Sequence, residues 1–153
     1  MQPEPEIETR TASWNDLTTT LLYAILKLRV DVFVVEQNCP YPEIDGRDTE
    51  PGTRHLWLQR GDEILAYARV LDDGDALRIG RVLTDRKQRG DRLGQRIMTE
   101  ALAIVGNRRS VLDAQAHLAR FYGGFGFQQT GPEYLEDGIP HIPMLREGSS
   151  PAR

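Results

Sequence analysis

Cysteine occurs once among 153 residues, at Cys39, which rules out an internal disulfide and any sulfur-rich metal site. No apolar run approaches the length of a membrane span, and the opening stretch MQPEPEIETR lacks the basic and apolar regions of a secretory leader. The expected location is the cytoplasm, with no membrane partner and no metal. Positive charge is also scarce. Nineteen Lys and Arg against 23 Asp and Glu leave a net charge of −4, whereas broad nucleic-acid binding needs cationic contacts spread over a surface. No nucleic-acid partner is expected, and any cationic function must be local. Internal repeats and a low-complexity core are absent as well.

What is present is the balance of a globular protein, 39% hydrophobic and 27% charged residues, in a length that suits one core. Residues 1–12, rich in Pro, Glu and Thr, and the closing residues 148–153 read as flexible tails around a single domain over 13–147. From about Thr18, Leu21, Ile25, Leu28 and Val32, with Leu22, Leu26 and Phe33, recur at helical spacing, and Asp16 or Thr18 is placed to cap that helix. The stretch VVEQNCPYPEIDGRDTEPG then breaks the pattern with three prolines and two glycines, a long connection of the kind that carries binding residues.

Three strand-like runs follow, HLWLQ, EILAYARVL and ALRIGRVLT, separated by turns short enough for an antiparallel meander. Leu93, Ile97, Met98, Ala101, Leu102 and Val105 make an amphipathic helix that ends near GNRR. SVLDAQA reads as a strand, HLARFYGGF as a short helix, and GFQQTG and IPHIPMLRE as two last strands. Pro140 and Pro143 put the final strand at an edge or a bulge. The predicted fold class is α/β, a mixed, mostly antiparallel sheet with one central parallel pair made by the strand, helix, strand crossover.

Against the acidic whole stands one basic segment. Between Arg78 and Arg96, seven bases face Asp85 and Asp91, a local excess of five charges. Within it RKQRGDRLGQR brings glycines to the start of the amphipathic helix, where unpaired amides and flanking arginines can wrap a phosphate. A solvated basic loop is the plainer alternative. RNA binding is disfavoured because the segment holds no aromatic residue for base stacking.

The segment resembles the Arg/Gln-x-x-Gly-x-Gly/Ala pattern of the GNAT superfamily of N-acetyltransferases, through Arg89, Gly90, Asp91, Arg92, Leu93 and Gly94. FYGGFGF is similar to the family's Phe-Tyr-x-x-x-Gly-Phe segment. LRVDVFVVEQNCPYPEIDGRD, RHLWL, LDAQAHLARFY and EDGIPHIPM together look like the ElaA-like branch of that superfamily. The resemblance implies the GNAT fold, with helices flanking a sheet whose central parallel strands splay apart. It implies acetyl-CoA as acyl donor, its pyrophosphate on residues 89–94 with Gln95 beside them, and its pantetheine arm along Val82, Leu83 and Thr84. Arg92 departs from the pattern, standing where the family has its middle glycine. A left-handed backbone there would cost about 1 kcal/mol or more.

Transfer to a primary amine requires a neutral nucleophile, an oxyanion donor and a proton for the leaving thiolate. The resemblance makes Tyr122 the general acid; the alternative is a packed core aromatic. Glu36 is the first candidate base, followed by His117 and His141, with a surface or capping carboxylate as the commoner fate of a glutamate. Cys39 lacks a neighbouring base and His55 reads as structural. Glu36, Glu43, Asp45, Asp48 and Glu50 outnumber Arg47 in the long loop, which would draw in a cationic acceptor unless the loop is simply solvated. The acceptor is expected to be a small-molecule amine or a protein or peptide amine. The rival is a non-catalytic CoA- or nucleotide-binding module that senses a metabolite or docks a partner. Strand edges at the C-terminal end also allow a homodimer.

Overall fold

The computed structural model describes residues 3–148. The expected C-terminal tail, 148–153, lies outside the described residues except for Gly148. Along the chain the elements are β1 (Ile7–Ala12), α1 (Thr19–Val30), β2 (Arg54–Arg60), β3 (Glu63–Asp72), β4 (Leu77–Thr84), α2 (Leu93–Val105), β5 (Ser110–Gln115), α3 (Ala119–Gly123), β6 (Gln128–Gln129), β7 (Tyr134–Glu136) and β8 (Ile139–Arg146). They build one eight-stranded sheet in the order β1-β2-β3-β4-β5-β8-β6, with β7 also on β8. Every pairing is antiparallel except β4 with β5. Among the described residues no helix is long and apolar enough to cross a membrane.

Two expectations are corrected. Residues 1–12 are not wholly a tail, because Ile7–Ala12 pair with β2 in full register, from Ile7 opposite Arg60 to Ala12 opposite His55. An edge strand is held by backbone bonds on one side and buries little, so Glu and Thr serve there as well as apolar residues. The strand bearing Pro140 and Pro143 is also interior, lying between β5 and the β6 and β7 pieces. It tolerates its prolines through position. The Pro143 carbonyl accepts from Thr130 N–H, so its missing N–H falls where β6 has ended and β7 has not begun. Pro140 lies just past His141, the last residue paired with β5.

The two helical stripes cover opposite faces. On one, Leu93, Ile97, Met98, Ala101 and Val105 of α2 pack on Leu56, Leu58, Ala66, Ala68, Val70 and Ile79. On the other, Ile25 and Val32 meet Trp57, Tyr67 and Leu83. Thr18 Oγ1 accepts from Leu21 N–H at 3.1 Å and starts α1. The helix does not stop at Val30 but widens into a π turn over Asp31–Glu36, a form that tends to occur at functional sites.

The loop after that turn is held by buried charge. Arg29, fully buried on α1, donates from Nε to Glu43 (3.1 Å) and from Nη1 and Nη2 to Asp48 (2.7 and 3.2 Å). Arg69 on β3 donates to Asp48 (3.0 Å) and to Asp45, and Arg81 on β4 pairs with Glu43 and Asp45. His55, beneath them, has both ring nitrogens engaged. Nε2 lies 3.0 Å from the Asp48 carbonyl, which can only accept, so Nδ1 is the acceptor for the Tyr67 hydroxyl at 2.6 Å. Burial lowers the pKa of this neutral ring.

Breaking a complete buried ion set strands the partners left behind. Arg29→Met is therefore expected to cost about 3–5 kcal/mol in a urea melt, since Glu43 and Asp48 lose their main counter-ion. Burial raises Asp45 and Asp48, but their arginine bonds outweigh it and hold both below the usual carboxylate range. Unfolding then takes up protons at His55 below about pH 6.5 and at the aspartates below about pH 3.9. Stability should fall as pH drops, first gently and then steeply, in melts recorded between neutral pH and pH 3.

Candidate active site

The central parallel pair is short. Only Leu77 with Ser110 and Arg78 with Val111 are in register, and beyond Arg78 the strands part. That leaves the β5-facing backbone of Ile79–Thr84 without a strand partner. On its other edge β4 pairs with β3 through a bulge, for the register shifts between Tyr67 and Arg69 where Arg81 and Val82 together face one residue. Arg81 takes φ 52° there, the left-handed value that re-aims a strand at a bulge. The splay opens into a cleft of about 810 Å³, whose lining includes Val82, Leu83, Thr84, Arg89, Tyr122 and His141. Open strand groups beside a cleft can take up an amide-rich ligand as an added strand.

At one end the cleft meets a groove of about 320 Å³. Thr84 and Arg89 line both spaces, and Gly90, Arg92, Leu93, Gly94 and Gln95 line the groove. Asp91 is exposed and lines neither. The first amides of α2 open here with no intrahelical partner. Gly90 has φ 101° and Arg92 φ 59°, so the turn uses the left-handed conformation twice, once at a glycine and once at the arginine that replaces one. A Cβ on Gly94 would meet Phe121 at 3.7 Å and Thr84 Oγ1 at 3.8 Å, ordinary contact distances. Packing alone does not demand glycine there. Arg89 and Arg92, the helix dipole and the free amides concentrate positive charge along the groove.

Tyr122 is buried on α3, with the Phe121 ring edge-on at 5.1 Å and Phe127 at 6.4 Å. Burial pushes its phenol up to about 12, so it stays protonated across the physiological range. Among the described residues no side-chain hydrogen bond occupies that hydroxyl, and the ring lines the cleft.

Glu36 reaches the cleft from the π turn but is bound to Arg89. Nη2 donates to Oε1 at 2.8 Å and Nη1 to Oε2. The Arg89 bond, with its charge, holds the carboxyl below its ordinary value, which suits a counter-ion and works against the predicted role as proton acceptor. The acidic loop is corrected in the same way. Glu43 and Asp48 are buried, Asp45 is bound by Arg69 and Arg81, and Glu50 by Arg47. These acids serve as counter-ions to arginines of the fold, Glu43 and Asp48 inside it and Asp45 and Glu50 nearer its surface. Cys39 is buried, its thiol 3.6 Å from the Asp137 carbonyl. Buried Arg29 and Arg69 went unremarked in the sequence, although an arginine inside a run as apolar as EILAYARVL signals a buried partner.

A family model described as acetyltransferase (GNAT) domain matches residues 28–147. A UPF0039 protein of Mycobacterium tuberculosis is 50% identical over 140 residues, covering 88% of this chain and 90% of its own. Protein ElaA of Escherichia coli is 45% identical over 148 residues, covering 92% and 97%, and its crystal structure superposes with a TM-score of 0.88 at 44% identity over 93% of this chain and all of that one. An acyl-CoA N-acyltransferase from Pseudomonas aeruginosa gives a TM-score of 0.89 at 42% identity over 92% and 99%.

The left-handed arginine gives a direct test of the turn. Arg92→Gly should relax the backbone and raise stability by about 1 kcal/mol, less the extra entropy glycine brings to the unfolded chain. A thermal melt showing Arg92→Gly no more stable than the parent would mean that the αL turn carries no strain.

Proposed function

Because the chain belongs to the GNAT acetyltransferase family, we propose that it transfers an acetyl group from acetyl-CoA to a primary amine by direct attack. The observation that carries this reading is the continuity of the anion groove with the splayed cleft, with Tyr122 on its wall. A carrier with an anionic pyrophosphate, an amide-bearing arm and a terminal thioester meets matching chemistry along that path. Arg89, Arg92 and the amides of residues 93–95 would take the anion, and the open edge at Val82, Leu83 and Thr84 the arm.

The amine attacks the thioester carbonyl, the carbon–nitrogen bond forms and the carbon–sulfur bond breaks. A thiol ionises near pH 8.5, below the phenol of Tyr122 at about 12, so complete transfer from phenol to thiolate is uphill. Tyr122 therefore serves by donating to sulfur as charge builds there. The proton that ends on sulfur is relayed through that hydroxyl, which takes one through water from the product nitrogen as it gives up its own, so no free phenolate forms. The acceptor is an amine on a small molecule or on a peptide or protein.

In this reading Glu36 keeps its pairing with Arg89 and holds the guanidinium in place beside the groove. Isothermal titration with acetyl-CoA should show about tenfold weaker binding for Arg89→Ala, the loss of a charge-assisted contact, and no weakening for Glu36→Gln. In a free-thiol assay over primary amines, Tyr122→Phe should slow turnover about 100-fold with little change in acetyl-CoA affinity. A parent protein that binds acetyl-CoA yet releases no thiol with any amine would favour the metabolite-sensing module instead.

A further inference from the structure

The acetyl-transfer reading leaves one role unfilled. An alkylammonium releases its proton near pH 10.4, so at neutral pH a group in the cleft must take that proton before attack. The carboxylates nearest the splay are committed elsewhere. Glu36 is bound by Arg89, Asp45 by Arg69 and Arg81, and Asp113 by Arg78 at 2.7 Å. Of the three histidines, His55 is buried with both nitrogens bonded, and His117 is exposed, its ring without a side-chain hydrogen bond among the described residues.

His141 differs from both. It stands on β8 directly opposite Gln115, the last residue of β5 at the splayed end, and its side chain lines the same cleft as Tyr122. Nδ1 lies 2.7 Å from the Ile139 carbonyl. A carbonyl can only accept, so Nδ1 carries the hydrogen and the lone pair of the neutral ring is on Nε2. Tyr134 of β7 stacks on the ring, with centroids 6.0 Å apart, and Glu136 places Oε2 3.8 Å from Nε2. Ionisable groups that line the cleft from the neighbouring elements include Asp113 on β5 with its partner Arg78 on β4, Asp137 in the β7–β8 turn and His117 in the turn after β5.

Resting on the acetyl-transfer reading, we propose that His141 is the general base, accepting the ammonium proton at Nε2, with Glu136 as a positioning residue that faces the resulting imidazolium. The proton account then closes. One proton passes from the ammonium to Nε2 and on to solvent along the open cleft. The second leaves the nitrogen after attack and, through water, restores the phenol that protonated the sulfur; the third stays on the amide. An ammonium and a thioester become an amide, a thiol and one released proton. An imidazole is suited to this step because its ordinary range lies at neutral pH, where carboxylates as a class are too weak to strip an alkylamine.

The test uses benzylamine, an alkylammonium at neutral pH, beside hydroxylamine, which is already neutral there. His141→Asn should lower kcat/KM for benzylamine about 100-fold at pH 7 while hydroxylamine turnover and acetyl-CoA affinity stay close to the parent's. The benzylamine deficit should shrink as pH rises toward the amine's own deprotonation. Glu136→Gln should lower the benzylamine rate several-fold and leave hydroxylamine unaffected. Independently of turnover, ¹⁵N NMR of the full chain should show the neutral His141 ring as the Nδ1–H tautomer. An Nε2–H tautomer, an equal loss with both amines, or a benzylamine deficit that appears in His117→Asn and not in His141→Asn would overturn the assignment. A parent enzyme inactive with every amine would overturn acetyl transfer itself, and the base with it.

Discussion

The guanidinium of Arg29 sits where a leucine would be expected, inside the apolar side of α1, and the far half of the cleft depends on its being satisfied. It donates to Glu43 and Asp48 through side chains and to the Glu43 carbonyl through Nη2 at 3.2 Å, and lies 5.7 Å from the Tyr67 ring centre. The residues between the π turn and β2 form no strand or long helix, so no ladder fixes them against the sheet. Ion pairs do so instead, because Arg29, Arg69 and Arg81 come from three packed elements and converge on Glu43, Asp45 and Asp48. A buried pair is a poor source of net stability compared with apolar packing. What a fully paired set supplies is a single geometry, since any displacement of the loop would leave a charge uncompensated in a dry site.

This division of charge alters what a molecule entering the cleft would meet. Counted along the chain, the loop looks acidic and the helix turn basic. In the folded molecule the loop acids face arginines, and Arg78 is likewise shared between Asp73 and Asp113. Of the basic segment, Arg92 stays unpaired among the described residues at the groove, while Arg89 is balanced by Glu36. The field across the cleft is therefore local and directional. It is strongest at the groove, where the helix dipole adds to the arginine charge.

Much of this was legible in the sequence. The 3.6-residue stripes of α1 and α2, the meander and the crossover follow from apolar spacing and turn residues, and the glycine-bearing turn marks the groove. The unread parts share a physical cause. β1 is held by its partner's backbone, which leaves little trace in side-chain type. The π turn keeps the same apolar residues on roughly the same face, so Val32 and Phe33 fit a continued α-helix equally well. The fate of Glu43, Asp45 and Asp48 depended on contacts with β3 and β4 that are distant in the chain. The place of His141 depended on β8 lying between β5 and the β6 and β7 pieces, an interior position that its prolines argued against.

Strain in the backbone falls on the same places. Among the described residues, four other than glycine have positive φ: Asn38, Arg81, Arg92 and Asp137. Arg81 and Asp137 line the cleft, Arg92 lines the groove, and Asn38 lies between Gln37 and Cys39, both of which line the cleft. At Arg81 and Arg92 such a conformation costs on the order of 1 kcal/mol or more, whereas Asn38 and Asp137 are residue types that adopt it readily, Asp137 with Gly138 making the tight turn between β7 and β8. The surroundings at Arg81 are the ion set, which holds its guanidinium against Glu43 and Asp45; at Asp137 the Cys39 thiol bonds the carbonyl. A chain selected for stability alone would place glycine at these turns. Arginine at two of them puts a cation at the bulge, where it meets Glu43 and Asp45, and at the helix start, where its charge adds to that of the unpaired amides, and apolar packing on both faces of the sheet supplies the stability that offsets the strain.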